Sequence, residues 1–255
     1  MHLLEVRGLT KHFGGVKALE EVDFRVEENS IVSVIGPNGA GKTTLFNCLT
    51  GLTRPTKGRI HLEGADITGS SPHRAVRLGI ARTFQNIRLF REMTVLENVL
   101  VSQHLRIRSG LFGVLFRNRN FLRDEKEAVE RGLEYLALVG LEGAADVTSF
   151  NLPYGDQRRL EIARALAAEP TLLLLDEPTA GMNPHETSEI MEIIWKLQKL
   201  GKTIVLIEHD MRLVMGISES IIVLNHGVKI AEGPPEAIRK DSLVIEAYLG
   251  KGTLA

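Results

Sequence analysis

The sequence predicts an α/β fold. Strand-like and helix-like segments alternate along most of the 255 residues, the pattern of a sheet flanked by helices. Two runs, Thr171 to Leu175 and Thr203 to Ile207, are almost wholly apolar, as parallel strands covered on both faces are. A third apolar run, Ile31 to Ile35, ends in a glycine-rich turn and leads into helically spaced Leu45, Leu49 and Leu52.

The elements follow in order. Leu3 to Val6 and Ala18 to Val26 alternate as half-exposed strands do, with Gly14 and Gly15 turning between them. Phe13, just before that turn, either lies on a purine ring, worth about 1–3 kcal/mol, or packs inside the small β-layer. Gly51 and Pro55 break the helix after the glycine-rich turn. Arg59 to Gly64 is an alternating strand, and Ser71-Pro72 opens a short helix with proline in its first turn. Gly79 to Phe84 reads as a strand with Gln85 at its exit. Helical patterning runs from Glu92 to about Gly140, with a capping-box pair at Thr94 and Glu97. Its last part, from Glu125, carries Val129, Leu133, Leu136 and Val139 on one side. Residues 105–123 mix five arginines with an apolar knot too short to span a bilayer. They read as a surface loop with that knot buried, or as a face for lipid or a partner. Leu160, Ala163, Leu166 and Ala167 form the packed face of the next long helix. Ser188 to Leu200 is a helix closed by Gly201, and Asn225-His226-Gly227 turns a hairpin. Short helices are expected from Pro235 to Leu249.

Composition narrows the function classes. The chain is 44% apolar and 25% charged, as soluble globular proteins are. A net charge of -1 gives no sign of nucleic-acid binding. Cys48 is the only cysteine, so no internal disulfide forms, which suits a reducing compartment. Its expected role is that of a small buried residue. No signal pattern and no membrane-length apolar run is present, so work at a membrane requires docking on a partner that crosses it.

The chemistry gathers at strand ends, where α/β sheets hold ligands. Gly36 to Thr44 reads G-P-N-G-A-G-K-T-T, the G-x-x-x-x-G-K-[ST] pattern between a strand and a helix. Its glycines let backbone N–H groups point inward at phosphate oxygens, and the helix adds its positive end. Lys42 is placed for the β- and γ-phosphates of a nucleoside triphosphate, and Thr43 offers a hydroxyl to Mg²⁺. Asp176 and Glu177 follow four leucines, where two carboxylates are costly to bury without a cation. Successive residues leave a strand on different sides. Asp176 then faces magnesium, chiefly through water, and Glu177 faces the γ-phosphate, where it orients or deprotonates a water. His209 ends another strand, either touching the γ-phosphate or that water, or serving as an ordinary loop histidine.

The phosphate loop, residues 152–157, the strand leading to Pro178 and His209, in this order, resemble the ATP-binding subunit of an ABC transporter over essentially the whole chain. The resemblance implies a P-loop NTPase core with a mainly parallel sheet, an N-terminal antiparallel β-subdomain and an inserted helical subdomain. One ABC-type ATPase domain would span 1–255, with core and β-subdomain at 1–91 and 158–255 and the helical subdomain at 92–157. ATP and Mg²⁺ are the implied ligands. Phe13 and Val16 would meet the base, and Gly36, Pro37, Asn38, Gly39, Ala40, Gly41, Lys42, Thr43 and Thr44 the phosphates. Thr43, Gln85 and Asp176 would serve magnesium; Glu177 would be the catalytic base, with His209, Gln85 and Lys42 assisting. Leu152, Tyr154, Gly155 and Asp156 would address the nucleotide of a second subunit. Three departures stand out: Phe13 for the commoner tyrosine, Pro153 for the signature serine, and Asn183 for the usual aspartate.

The stretch R-L-F-R-E-M-T-V-L-E-N-V from Arg88, the Y-G-D-Q-R-R-L-E-I-A-R signature, D-E-P-T-A-G-M-N-P, the insert between Gln103 and Lys126 and the ending R-K-D-S-L-V-I-E-A-Y-L-G are similar to branched-chain amino-acid importer ATPases. That similarity implies a homo- or heterodimer of ATP-binding subunits, two membrane permeases and, indirectly, a secreted or periplasmic binding protein. It places the chain peripherally on the cytoplasmic face of the plasma (inner) membrane. Another solute (urea, lipopolysaccharide) or a soluble ABC-type ATPase acting on nucleic acid or ribosomes are the alternatives. The latter usually carries a long coiled-coil insertion or two cassettes, and neither is present.

Overall fold

The computed structural model describes residues 2–103 and 119–249. They divide into two compact units, the first made of Met1–Arg82, Thr171–Pro178 and Ile194–Ala255, the second of Thr83–Pro170 and Thr179–Ile193. The second takes in 83–91, 158–170 and 179–193 besides the expected lobe at 92–157.

Two sheets build the first unit. Strands β1 (His2–Phe13), β2 (Val16–Glu27), β4 (Lys57–Leu62) and β5 (Ala65–Asp66) form an antiparallel sheet in the order β2-β1-β4-β5. Strands β3 (Ile31–Ile35), β6 (Ile80–Arg82), β7 (Leu172–Asp176), β8 (Thr203–Ile207), β9 (Ser220–Asn225) and β10 (Val228–Gly233) form the second, in the order β10-β9-β3-β8-β7-β6. Every neighbouring pair in it is parallel except β9 and β10. A mainly parallel sheet with an antiparallel β-layer is therefore what the chain forms.

Every residue of β3, β7 and β8 is buried, which is why these runs carry no polar alternation. The strand period of two sorts their side chains between two cores. Val32, Val34, Ile222 and Leu224 join the β-layer and the helix α1 (Lys42–Leu49). Ile35, Ile221 and Val223 join Val214, Ile238 and Val244 on the opposite face. Helix α1 stops at Leu49 because Gly51 takes a positive φ, where a Cβ would lie 2.0 Å from the Ser70 carbonyl oxygen. Leu52 thus lies beyond the helix and is half exposed, not part of its packed face. Cys48 is buried, as expected, and burial pushes its thiol up to about 11.

In the second unit the capping box forms: Glu97 N–H donates to Thr94 Oγ1 (3.1 Å) and Thr94 N–H to Glu97 Oε2 (2.7 Å). It opens α3 (Val95–Gln103). Helix α4 (Arg119–Leu138) starts earlier than expected, and of the predicted face Leu136 and, just past its end, Val139 are buried. Its buried line runs through Ala128, Gly132 and Leu136, while Leu133 is exposed. Small residues win that face because α3 packs close: a Cβ on Gly132 would lie 2.9 Å from Leu96 Cδ1. Most of the arginine-rich stretch 105–123 falls outside the described residues. Helix α5 (Tyr154–Leu166) buries Leu160, Ala163 and Leu166 as predicted. Helix α6 (Pro184–Lys199) starts before Ser188, because Asn183 Oδ1 caps it by accepting from His185 N–H (2.9 Å) and Glu186 N–H (3.0 Å).

Candidate nucleotide site

Strands β3, β8 and β7 are neighbours, so their carboxyl ends bring Gly36 to Thr44, His209 and Asp176-Glu177 together within the first unit. The loop backbone is held by close contacts only glycine allows. A Cβ on Gly36 would lie 2.1 Å from Leu224 O, and one on Gly41 2.5 Å from Ala18 O. The hairpin after β9 braces the loop from behind. His226 and Gly227 both have positive φ, as a type I′ turn requires. Gly227 then donates to Ala40 O (3.0 Å) and accepts from Glu20 N–H (2.8 Å). The amino end of α1 has no side-chain cap, which leaves its first-turn N–H groups to an anion.

Lys42 is buried, and its ammonium donates to Gly36 O (2.6 Å) and Pro37 O (3.0 Å). Desolvation lowers its pKa, with the carboxylates of Glu177 and Asp176 opposing that shift. Glu177 follows β7 with φ 50, a left-handed backbone uncommon outside glycine, fixed by its N–H on Ile207 O (2.9 Å). That bend sends Glu177 away from the Asp176 direction. Glu177 Oε1 lies 2.7 Å from His209 Nε2, so the two strand ends share a hydrogen bond.

Asp176 Oδ2 accepts from Arg82 Nη2 at 2.6 Å, with both side chains almost fully buried. Arg82 also donates through Nη1 to Asn47 Oδ1 of α1 (2.7 Å). Among the described residues no cluster of three or more His, Cys, Asp or Glu could hold a metal by itself. A hydroxyl at Thr43 and one carboxylate at Asp176 fit magnesium, which keeps waters and takes phosphate oxygens. Phe13 is 49% exposed with Lys11 Nζ 4.6 Å from its ring centroid, so it is not a core residue of the β-layer. Val16 is exposed as well.

Gln85 and the 152–157 segment belong to the second unit. Pro153 stands at the N-cap of α5, its carbonyl accepting from Gln157 N–H (3.0 Å), and no side chain caps this end. Leu152 is buried, with its carbonyl taking Gln157 Nε2 (2.9 Å). Tyr154 is 45% exposed and donates to Ala180 O (3.0 Å). Gly155 lies against Glu186, where a Cβ would meet Oε1 at 2.9 Å, and Asp156 pairs with Arg159.

The model of the ABC transporter family matches residues 19–180 of this chain. The chain belongs to the ABC transporter family. A model for branched-chain amino acid ATP-binding cassette transporters matches residues 228–253 of this cassette. BraF of Pseudomonas aeruginosa, a high-affinity branched-chain amino acid transport ATP-binding protein, is 50% identical over 98% of both chains. LivG of Escherichia coli K12, of the same description, is 51% identical over 98% of both. The crystal structure of a nucleotide-free ATP-binding cassette from an ABC transporter superposes with a TM-score of 0.86 at 33% identity, covering 98% of this chain and 100% of that one. A dimeric cassette bound to ADP and phosphate superposes at 0.77, with 29% identity over 91% of this chain and 98% of that one. Nucleotide binding and ATP hydrolysis belong to this family of cassettes.

Several residues of this ABC cassette carry site geometry that the sequence alone did not flag. Arg82 looked like one more strand residue; only the β6–β7 pairing puts its guanidinium on Asp176. Gly227 looked like hairpin chemistry alone. Tyr248, on the C-terminal helix Ser242–Leu249, has its phenol pushed up by burial, with the Gly36 backbone opposing that shift.

Proposed function

We propose that this chain is the ATP-hydrolysing subunit of an importer for branched-chain amino acids. Its near-full-length identity to BraF and LivG carries the substrate class. The Glu177–His209 pair beside the phosphate loop supports the chemistry. A triphosphate lies along the N–H groups from Gly36 to Thr44, with Lys42 turning from the Gly36 and Pro37 carbonyls to the β- and γ-oxygens. Phe13 and Val16 border the base. Thr43, Asp176 and Gln85 would hold magnesium, which would supply positive charge to the phosphates. Glu177 takes a proton from the attacking water as its oxygen bonds to the γ-phosphorus and ADP leaves. His209 fixes the Glu177 carboxylate and shares the γ-phosphate. Catalysis is mostly alignment and charge neutralisation.

Two such subunits face head to tail, each nucleotide between the loop of one and the Leu152, Tyr154, Gly155 and Asp156 turn of the other. ATP closes the pair and hydrolysis reopens it. Permeases receive that motion; no helix among the described residues is long and apolar enough to cross a membrane itself. Its relatives are transport ATP-binding proteins, and on that ground the subunit works peripherally, on the cytoplasmic face.

Lys42→Ala is expected to weaken binding of a fluorescent ATP analogue about 100-fold or more, since a desolvated cation on phosphate is lost. Binding within a few-fold of wild type would reject the loop assignment. Pro153 supplies neither hydroxyl nor N–H to the trans contact. Pro153→Ser is expected to lower the ATP concentration that drives dimer formation, as read by light scattering. For the solute, the subunit assembled with its permeases in liposomes should hydrolyse ATP faster when the binding protein carries leucine, isoleucine or valine. Stimulation by urea alone would reject that class.

A further inference from the structure

The second unit contains a buried charge that the proposed chemistry does not use. Arg158, 4% exposed, lies one turn after Tyr154 on α5. Its guanidinium donates to Phe84 O through Nη1 (2.9 Å) and to Gln85 O through Nη2. It also meets the Tyr154 hydroxyl twice, from Nε (3.2 Å) and Nη2 (2.9 Å). Glu161, three residues on along the same face, supplies the opposite charge at 3.3 Å. The other oxygen of Glu161 accepts from Arg88 N–H (2.8 Å). One face of α5 therefore pins residues 84–88 at both ends. Tyr154 extends the connection, since its hydroxyl donates to Ala180 O (3.0 Å) and its ring borders Gly181.

Such a cluster is a poor way to gain stability. Burying an ion pair costs about as much as the pair returns, and well-packed apolar residues often do better. What a planar fork with five donors provides is geometry: it fixes two successive carbonyls and a hydroxyl relative to one another. Lysine, a point charge, cannot reproduce that.

We propose that Arg158, with Tyr154, is a positioning residue that couples the two nucleotide sites of the assembled pair. The inference rests on the head-to-tail reading above. There, the turn at Tyr154 answers to the nucleotide of the neighbouring subunit, whereas Gln85 serves the nucleotide of its own chain. Arg158 joins the two, so closure on one nucleotide sets the Gln85 turn for the other. The 180–183 segment is drawn in through Tyr154. Coupling between sites needs a physical element that both bias, and this cluster is what connects the two turns.

The test uses the full chain with Tyr154→Phe, Arg158→Gln and Arg158→Lys, measuring turnover against ATP concentration. Tyr154→Phe keeps the ring and the backbone N–H and removes one hydroxyl from a half-exposed side chain, so it reports even if Arg158→Gln fails to fold. Wild type is expected to respond cooperatively, with a Hill coefficient above about 1. In Tyr154→Phe and Arg158→Gln that coefficient should fall toward about 1, with maximal turnover down about fivefold and single-site nucleotide affinity changed less than about twofold. Arg158→Lys should recover part of the turnover but little of the cooperativity. An unchanged Hill coefficient in folded Tyr154→Phe overturns the proposal while leaving the head-to-tail reading intact. Loss of ATP-driven dimers and of cooperativity in the wild type itself would instead overturn that reading.

Discussion

Glu177→Gln is expected to stop turnover while leaving nucleotide binding intact. The amide keeps the size of the carboxylate and can still meet His209, whose Nε2 lies 2.7 Å from Glu177 Oε1. It cannot accept a proton from water. A positioned general base contributes about 10²–10⁴-fold, so phosphate release should fall by at least about 100-fold. The groups proposed to hold the triphosphate, Gly36 to Thr44, are untouched, so affinity for an ATP analogue should stay within about twofold of wild type, the signature of an interaction made in the transition state. With hydrolysis blocked, the closed pair has no way to reopen, and dimers should accumulate on a sizing column with ATP and Mg²⁺. Adding EDTA should disperse them. Turnover at the wild-type rate would mean that Glu177 is not the base.

Legibility from the sequence followed the range of the interactions. The glycine-rich turn after β3 and the four-leucine strand were readable because local patterns specify them: a turn that needs glycine, a strand that needs no polar residue. Thr94 and Glu97 were readable for the same reason, as a capping box closes within four residues. The buried face of α4 was readable only in part, at Leu136. Hydrophobicity points to Leu133, but close approach of α3 selects Gly132 and Ala128, and that approach is a tertiary fact. Arg82 and Arg158 were missed for a related reason. Each is a charge whose acceptors lie far along the chain, Asp176 for one and Phe84 and Gln85 for the other. In sequence a lone arginine has the look of solvent-facing surface. The signal that could have found Arg158 is the spacing of Tyr154, Arg158 and Glu161 at i, i+4 and i+7, which places a phenol, a guanidinium and a carboxylate on one helix face.

Arg82→Met should be the most destabilising single change at the site. It removes the cation 2.6 Å from Asp176 Oδ2 in a place where both side chains are almost wholly buried. It also removes the donor to Asn47 that ties β6 to α1. Taking one partner out of a buried pair costs about 3–5 kcal/mol, because the remaining charge stays desolvated. For a chain of this size the melting temperature should fall by roughly 10 °C, as followed by circular dichroism. If the penalty comes from the charge left on Asp176, neutralising that charge should relieve it. Asp176→Asn in the Arg82→Met background should then return about 1–3 kcal/mol, the non-additivity expected of residues in contact. The same double variant should still fail to hydrolyse ATP, since an amide is a poor ligand for magnesium. Stability and catalysis would thus separate at Asp176: its carboxylate is tolerated in the core because Arg82 stands beside it, and its proposed role is to serve the metal. Additive effects in the double variant would show that Arg82 supports the fold through packing on Phe46, whose ring centroid lies 5.4 Å from its guanidinium carbon, and not through its charge.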